Sequence, residues 1–433
     1  MREWDKRRVK LNRLILSASL MVLSPAMAQQ APPERSISLA EAIQAARTNV
    51  ETLLARHALA AAQADVTVAD HPQVPMLSAK TASIDLQNGI GGGNLLRDKR
   101  IDKSVGIDWT WERGNKRELR TRAASRSADA ARADLEEAQL QQQIVAASAY
   151  YDLLAAQEKI VHVEAISRSA AEVASTAQRR LRAGDLSQQE ALRAEVESQR
   201  AAADLRTSQS ERQRALGALV LVTGLAPPLQ AVASWPDPVA AVPAQKPAEA
   251  RSDVQAARQR VQAARSALES ALALRHNDIT VGSSIDHFPG TSTRQLELRV
   301  QMPLNGVFGA YAFKGEIDKA RAQLAQADAQ LVKVERTAAA DSLRLLQDLQ
   351  ASSGRAELYR VSIVPQARRI AGMADLAYSK GAMSLTDLIE TRRTLRNVLL
   401  EDVAARADHA RALAAWQLRN APSSPDAFPI GEQ

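Results

Sequence analysis

The sequence predicts a mainly α protein with a small β part, built as a duplicated helix-strand-strand-helix repeat. Three observations predict it. The segment RAGDLSQQEALRAEVE around Gly184 returns as SKGAMSLTDLIETRRT around Gly381. A short alternating pair of strand-like runs lies upstream of each copy, joined to it by a long Ala-rich helical run. Aromatic residues make up only 3% of the 433 residues although hydrophobic ones reach 45%, and the difference is mostly Ala and Leu. Such a composition builds thin helix-helix seams more readily than a thick core. A pseudo-symmetric chain of this kind points to a duct or scaffold and away from an enclosed enzymatic pocket.

Residues 1–28 read as a signal peptide. Arg2, Lys6, Arg7, Arg8, Lys10 and Arg13 form a basic start, Leu14 to Leu23 a short apolar run, and Ala26-Met27-Ala28 a cleavage site. The apolar run is too short for a transmembrane helix, which needs about 20 residues. These residues hold six of the 56 basic and two of the 49 acidic groups, which leaves 50 against 47 in the remainder. That near balance argues against nucleic-acid binding. Cysteine is absent, which excludes disulfides and thiolate metal ligands.

The first repeat is expected over 29–223. Ser38 to Ala69 reads as one helix, with Ser38 and Glu41 forming a capping box. Pro75 opens a strand at about Leu77 to Leu86, and a glycine-rich charged loop follows from Asn88 to Lys103. Ser104 to Trp111 is the clearest strand, with Val105, Ile107, Trp109 and Trp111 on one face and Ser104, Gly106, Asp108 and Thr110 on the other. A helix from about Lys116 to Leu181 carries a coiled-coil stripe of Leu140, Ile144, Ala147, Tyr151 and Leu154. Gly184 turns the chain, and a helix runs from Ser187 to about Leu221.

Residues 224–247 are rich in Pro and Ala and read as a linker. The second repeat is expected over 248–421. A helix ending near His276 leads to strands at Ile279 to Ile285 and Gln295 to Leu304. In the latter, Leu296, Leu298, Val300, Met302 and Leu304 alternate with Gln295, Glu297, Arg299 and Gln301. A helix from about Tyr311 to Tyr378, with a kink at Pro365, bears Leu324, Ala327, Leu331, Val334 and Ala338 on one stripe. Gly381 turns the chain into a helix from Ser384 to Arg419. Residues 422–433 form an irregular tail.

Four strands are too few for a closed barrel. A soluble sandwich would pack their apolar faces together. Alternatively the apolar faces meet lipid and the polar faces a water-filled lumen. That requires several chains to pool strands, because open edges are costly in hydrocarbon. Helices of this length bury an Ala/Leu stripe only side by side, so a hollow helical cylinder beneath a strand barrel satisfies both needs.

The motifs SLAEAIQAA at Ser38, WTWERGNKR at Trp109, RAGDLSQQEALRAE at Arg182, MPLNGVFG at Met302 and YSKGAMSLTDLIETRR at Tyr378 together resemble the outer-membrane efflux factors, the TolC-like family. WERGNKRELRTRAA and YYDLLAAQEK look most like its cobalt-zinc-cadmium resistance, CzcC-like, branch. The resemblance implies a homotrimer in the cell outer membrane, with a 12-stranded β-barrel continued by a periplasmic α-helical barrel. Its implied partners are a periplasmic adaptor, an inner-membrane resistance-nodulation-division pump and outer-membrane lipid. The implied function is passive export of substrate, foremost heavy-metal cations. Drugs, solvents or secreted polypeptide are alternative cargoes, and a soluble periplasmic coiled-coil scaffold or adaptor is the alternative of another class.

By the same resemblance Gly184 and Gly381 are the helix-tip turns. Glu190, Tyr378, Asp387 and Glu390 belong to the periplasmic gate, and Met383 stands where relatives carry a latch arginine. On spacing alone, Asp387 and Glu390 share a helix face, where ordinary solvated charges are the alternative to a gate. Val105, Ile107, Trp109, Trp111, Leu296, Leu298, Val300 and Met302 are the expected membrane strand residues. No cofactor is expected. None of the six histidines pairs with another in a metal-binding spacing, with His287 beside Asp286 as the nearest exception. No catalytic arrangement is found.

Overall fold

The computed structural model describes residues 35–84, 86–87, 92, 101–232, 235–239, 244–288, 294–304 and 311–420. The expected signal peptide and C-terminal tail lie outside the described residues. So do nearly all of the glycine-rich loop after the first strand and part of the loop after His287.

The chain opens with a short strand, β1 (Arg35–Ile37), and helix α1 (Leu39–Ala46). Ser38 caps α1 in the expected box: its hydroxyl accepts from the Glu41 N–H at 3.2 Å, and the Glu41 carboxylate accepts from the Ser38 N–H at 2.8 Å. The single helix expected over 38–69 is in fact two. Asn49 takes an extended conformation and accepts from the Thr52 N–H at 3.0 Å, which starts α2 (Val50–Ala69) as a separate helix. A short polar side chain that bonds the backbone nearby competes with helix continuation.

Strands β2 (Met76–Ala82) and β3 (Asp102–Trp111) lead into α3 (Lys116–Ala183), α4 (Gln188–Thr223) and β4 (Leu229–Ala231). The stretch 224–247 is therefore more than a linker. Its β4 pairs in parallel with β1, from Arg35 opposite Leu229 to Ile37 opposite Ala231. Trp235 follows, stacks on Tyr151 with ring centroids 6.1 Å apart, and donates its indole N–H to Glu158 at 2.7 Å. Neither feature has a periodic pattern long enough to read, because three residues cannot show alternation.

The second half runs through α5 (Ser252–Ala273), β5 (Ile279–His287), β6 (Gln295–Gln301) and α6 (Lys314–Leu358). It ends with α7 (Val364–Ser379) and α8 (Leu385–Asn420). β6 stops earlier than expected, so Met302 and Leu304 lie past the strand. Pro303, which cannot donate to a ladder, marks the end.

α3 has 68 residues, about 100 Å at 1.5 Å per residue. It packs along α2, α4, α5 and α8. Its buried positions are mostly alanine, among them Ala128, Ala133, Ala146, Ala174 and Ala177, so neighbouring helices pack along thin seams. The thickest core lies at mid-height. There Ala147, Tyr151 and Leu154 of the expected stripe join Ile37, Ile43, Leu219, Leu229 and Ala414, with Leu140 and Ile144 packed against them.

Between α6 and α7 the helix widens to a π turn at Tyr359–Ile363. The buried seam explains why. Ser342, Leu349 and Ala356 recur every seven residues, Val364 comes eight after Ala356, and Ala371 resumes the seven. One residue too many must be absorbed for α7 to keep the same face inward, and a π turn does so. Pro365 adds a second cause. It lacks an N–H, and in a regular helix its ring would meet the carbonyl four residues earlier. The expected kink thus appears as a local widening.

Candidate functional site

Two regions carry polar chemistry beyond packing: the sheet and the hairpin tips. The sheet has order β2-β3-β5-β6, all antiparallel. Leu77 pairs with Ile107, Ile107 with Ser283 and Ser283 with Leu298, while Trp109 pairs with Val281 and Val281 with Val300. Paired residues of an antiparallel sheet share a face. Leu77, Val105, Ile107, Trp109, Trp111, Val281, Ile285, Leu296, Leu298 and Val300 therefore form one apolar surface, and each is at least half exposed. A side chain of this size forgoes about 1.5–3 kcal/mol by staying in water. Among the described residues no core element covers this face, and β2 and β6 are the edges of the sheet.

The other face is polar. Thr110 and Thr280 share a hydrogen bond of 2.9 Å, and Ser284 donates to Asp286 at 3.2 Å. Arg299 on β6 reaches Asp108 on β3 at 2.6 Å, past β5.

At the tips, Gly184 and Gly381 hold φ of 80° and 74°. A left-handed residue there costs an L side chain about 1–2 kcal/mol, which glycine avoids. Ser187 caps α4, and its hydroxyl donates to Glu190 at 2.7 Å. Ser384 does the same for α8, donating to Asp387 at 2.7 Å. Two of the expected gate carboxylates are thus engaged by the serines that cap their own helices. Glu390 projects into solvent with its side chain 70% exposed, 3.6 Å from Arg393. Tyr378 packs against the tip cluster of Ala174, Ala177, Ala191, Ala194, Leu385 and Leu388, as does Met383. Arg180 covers the Tyr378 ring at 5.2 Å and donates to its hydroxyl at 3.3 Å. Within the protomer Glu190 stands on α4, whereas Asp387 and Glu390 stand three residues apart on α8.

Sequence reasoning missed the arginines that tie the hairpins. Arg392 donates to Asp375 on α7 at 2.8 Å and to Ser169 on α3 at 2.6 Å. Arg393 donates through Nε to Glu197 on α4 at 3.0 Å, and Arg396 to Asp204 on α4 at 3.0 Å. Arg193 on α4 donates to Thr386 at 3.2 Å. The Arg393 hydrogen bond holds the Glu197 carboxyl below its ordinary range. The signal was present: TRRTLR puts three cations within one turn, and Glu197 and Asp204 are seven apart on one face of α4. A groove of about 900 Å³ lies between α4 and α8, walled by Leu192, Val196 and Ile389 and edged by Glu390, Arg193 and Arg393.

Among the described residues, no group of three or more His, Asp or Glu side chains is placed to hold a metal ion. No helix among them is long and apolar enough to cross a membrane.

Residues 42–225, from within α1 to just beyond α4, match the family model of the outer membrane efflux protein. The fold of the chain is similar to that of solved outer-membrane channels. The solved structure of CusC, described for folding and transmembrane channel formation, is 16% identical with a TM-score of 0.75 over 88% of this chain and 91% of that one. The CmeC outer membrane channel of Campylobacter jejuni is 15% identical with a TM-score of 0.76 over 88% and 85%. The open state of the MtrE outer membrane channel of Neisseria gonorrhoeae is 18% identical with a TM-score of 0.67 over 88% of each chain. No curated protein matches in sequence.

Proposed function

We propose that this chain is the outer-membrane exit duct of a tripartite efflux system, passing heavy-metal cations handed to it by an inner-membrane pump and a periplasmic adaptor. The observation that carries the reading is the apolar face of the four-stranded sheet, which no core element among the described residues covers, backed by a polar face and flanked by two edge strands. In hydrocarbon an unpaired edge is costly, so the sheet must close on copies of itself. Three copies with four strands each make a 12-stranded wall, with apolar side chains in lipid and Asp108, Arg299 and their neighbours toward water. α3 and α6–α7 then continue the wall into the periplasm.

The cation reading rests on the resemblance to the cobalt-zinc-cadmium branch and on the tip carboxylates. Glu390 with Asp387, repeated three times, would set six carboxylates round one axis, an arrangement that attracts cations. Passage is passive, and the pump supplies the energy.

The test is conductance in planar lipid bilayers. Detergent-extracted protein forms discrete channels, and Asp387→Ala with Glu390→Ala raises their conductance and lowers cation selectivity. A protein that leaves the membrane fraction in plain buffer as a compact monomer would sink the duct reading. Unchanged conductance in the double variant sinks the gate assignment alone. A deletion strain challenged with metals and with drugs separates the cargoes.

A further inference from the structure

The polar face of the sheet contains an arrangement that a simple alternation of residues does not require. Asp108, Gly282 and Arg299 occupy one row across β3, β5 and β6. Arg299 and Asp108 are two strands apart, about twice the 4.8 Å strand spacing, yet their side chains meet at 2.6 Å. They meet because the residue between them has no side chain. A Cβ on Gly282 would run into the Asp108 carboxylate and lie 3.4 Å from Nε and Nη2 of Arg299. The guanidinium lies down on the sheet: its Nε is buried and has no hydrogen-bond partner, a cost accepted to hold that pose. The Asp108 side chain is only 15% exposed.

We propose that the Asp108–Arg299 pair laid over Gly282 is a specificity-determining clasp, which pins the guanidinium flat against the wall and keeps the passage favourable to hydrated cations. This rests on the reading of the sheet as a barrel wall. By register, Lys80, Asp102, Asp108, Asp286, Glu297 and Arg299 are the charged residues of the polar face in the described strands. They carry two positive and four negative charges, a net of minus two per copy. With the clasp closed, Arg299 and Asp108 cancel at the wall. With it open, a long cation is free to swing into the passage, and three copies would do so at one level. A cation aimed into a pore repels cations and admits anions.

The experiment measures reversal potential across a bilayer under a salt gradient. It is run in the full-length protein and again with Asp387→Ala and Glu390→Ala, so that the tips do not mask the sheet. Wild type prefers cations. Asp108→Asn and Gly282→Ala each lower the cation-to-anion permeability ratio by at least about twofold, since one unit charge roughly 10 Å away in water has that effect and three copies carry the change. Arg299→Gln raises the ratio, and Asp108→Asn with Arg299→Gln returns it to the wild-type value. Gly282→Ala is the decisive variant because it opens the clasp without changing formal charge. In an Arg299→Gln background it has no effect on the ratio.

If Gly282→Ala matches wild type, the clasp is overturned. If it lowers the ratio equally without Arg299, the effect is a distorted wall, and the clasp is again overturned. In both cases the duct reading stands, since the channel conducts. If wild type forms no channel in any background, the duct reading fails and the clasp fails with it.

Discussion

At the α3–α4 tip the chain turns on Gly184 and restarts on Ser187 with Glu190. At the α7–α8 tip it turns on Gly381 and restarts on Ser384 with Asp387. The local chemistry is the same, yet the helices leading out of the turns are not equivalent. α8 carries Arg392, Arg393 and Arg396, whereas α4 offers Glu197 and Asp204 and α3 offers Ser169. The helices leading in also differ. α3 is unbroken, whereas its counterpart contains a π turn that takes up one surplus residue. Duplication thus supplied two similar turns, and divergence of the flanking helices made one hairpin the charge complement of the other.

The largest expected effect comes from deleting one residue on each side of this comparison. Removing Ser167 from α3 turns everything beyond it by about 100°. Ala174 and Ala177 leave the tip cluster, and the loss is about 3 kcal/mol or more, as for other emptied core sites. Removing Ser362 together with Pro365→Ala instead restores a seven-residue step from Ala356 to Val364 and changes stability by less than about 1 kcal/mol. Thermal melts in detergent followed by circular dichroism compare the two. Equal losses would mean that the π turn is not absorbing a skipped residue.

A middle-sized effect is expected at the ties. Arg393→Ala leaves the mostly buried Glu197 without its donor and costs about 1.5–3 kcal/mol, the range for hydrogen bonds to charged groups. Arg193→Ala removes only a bond to the Thr386 hydroxyl and costs about 0.5 kcal/mol. Denaturant melts that rank these two in the opposite order would break the claim that α8 is the cationic partner.

The last effect is a response to acid. Glu158 is desolvated, which works to raise its pKa, but bonds from His162, Arg406 and Trp235 outweigh this and bring it to about 2. Glu197 is lowered as well, chiefly by Arg393. A carboxyl depressed on folding contributes stability that is fully present above its unfolded pKa near 4.5. That contribution is lost as pH falls through the folded value. Between pH 4.5 and about 2 the mid-height anchor at Trp235 therefore weakens progressively. Hydrogen exchange of the Trp235 indole would follow it, and an exchange rate flat across that window would contradict it.

The sequence by itself determined the repeat, the strand faces, the helix caps and the tip glycines. Each follows from interactions within a few residues: Ser38 with Glu41, the alternation from Val105 to Trp111, the left-handed need at Gly184. Tertiary structure alone decided the rest. The pairing of β1 with β4, the seating of Trp235 on Glu158 and Tyr151, and the reach of Arg299 over Gly282 join residues about 80 to 190 positions apart. No local period encodes such contacts, since each depends on where long helices and strands bring their ends. The same holds for Glu190 and Asp387. The structure shows them engaged by the capping serines Ser187 and Ser384, whereas any wider role depends on how copies surround a common axis.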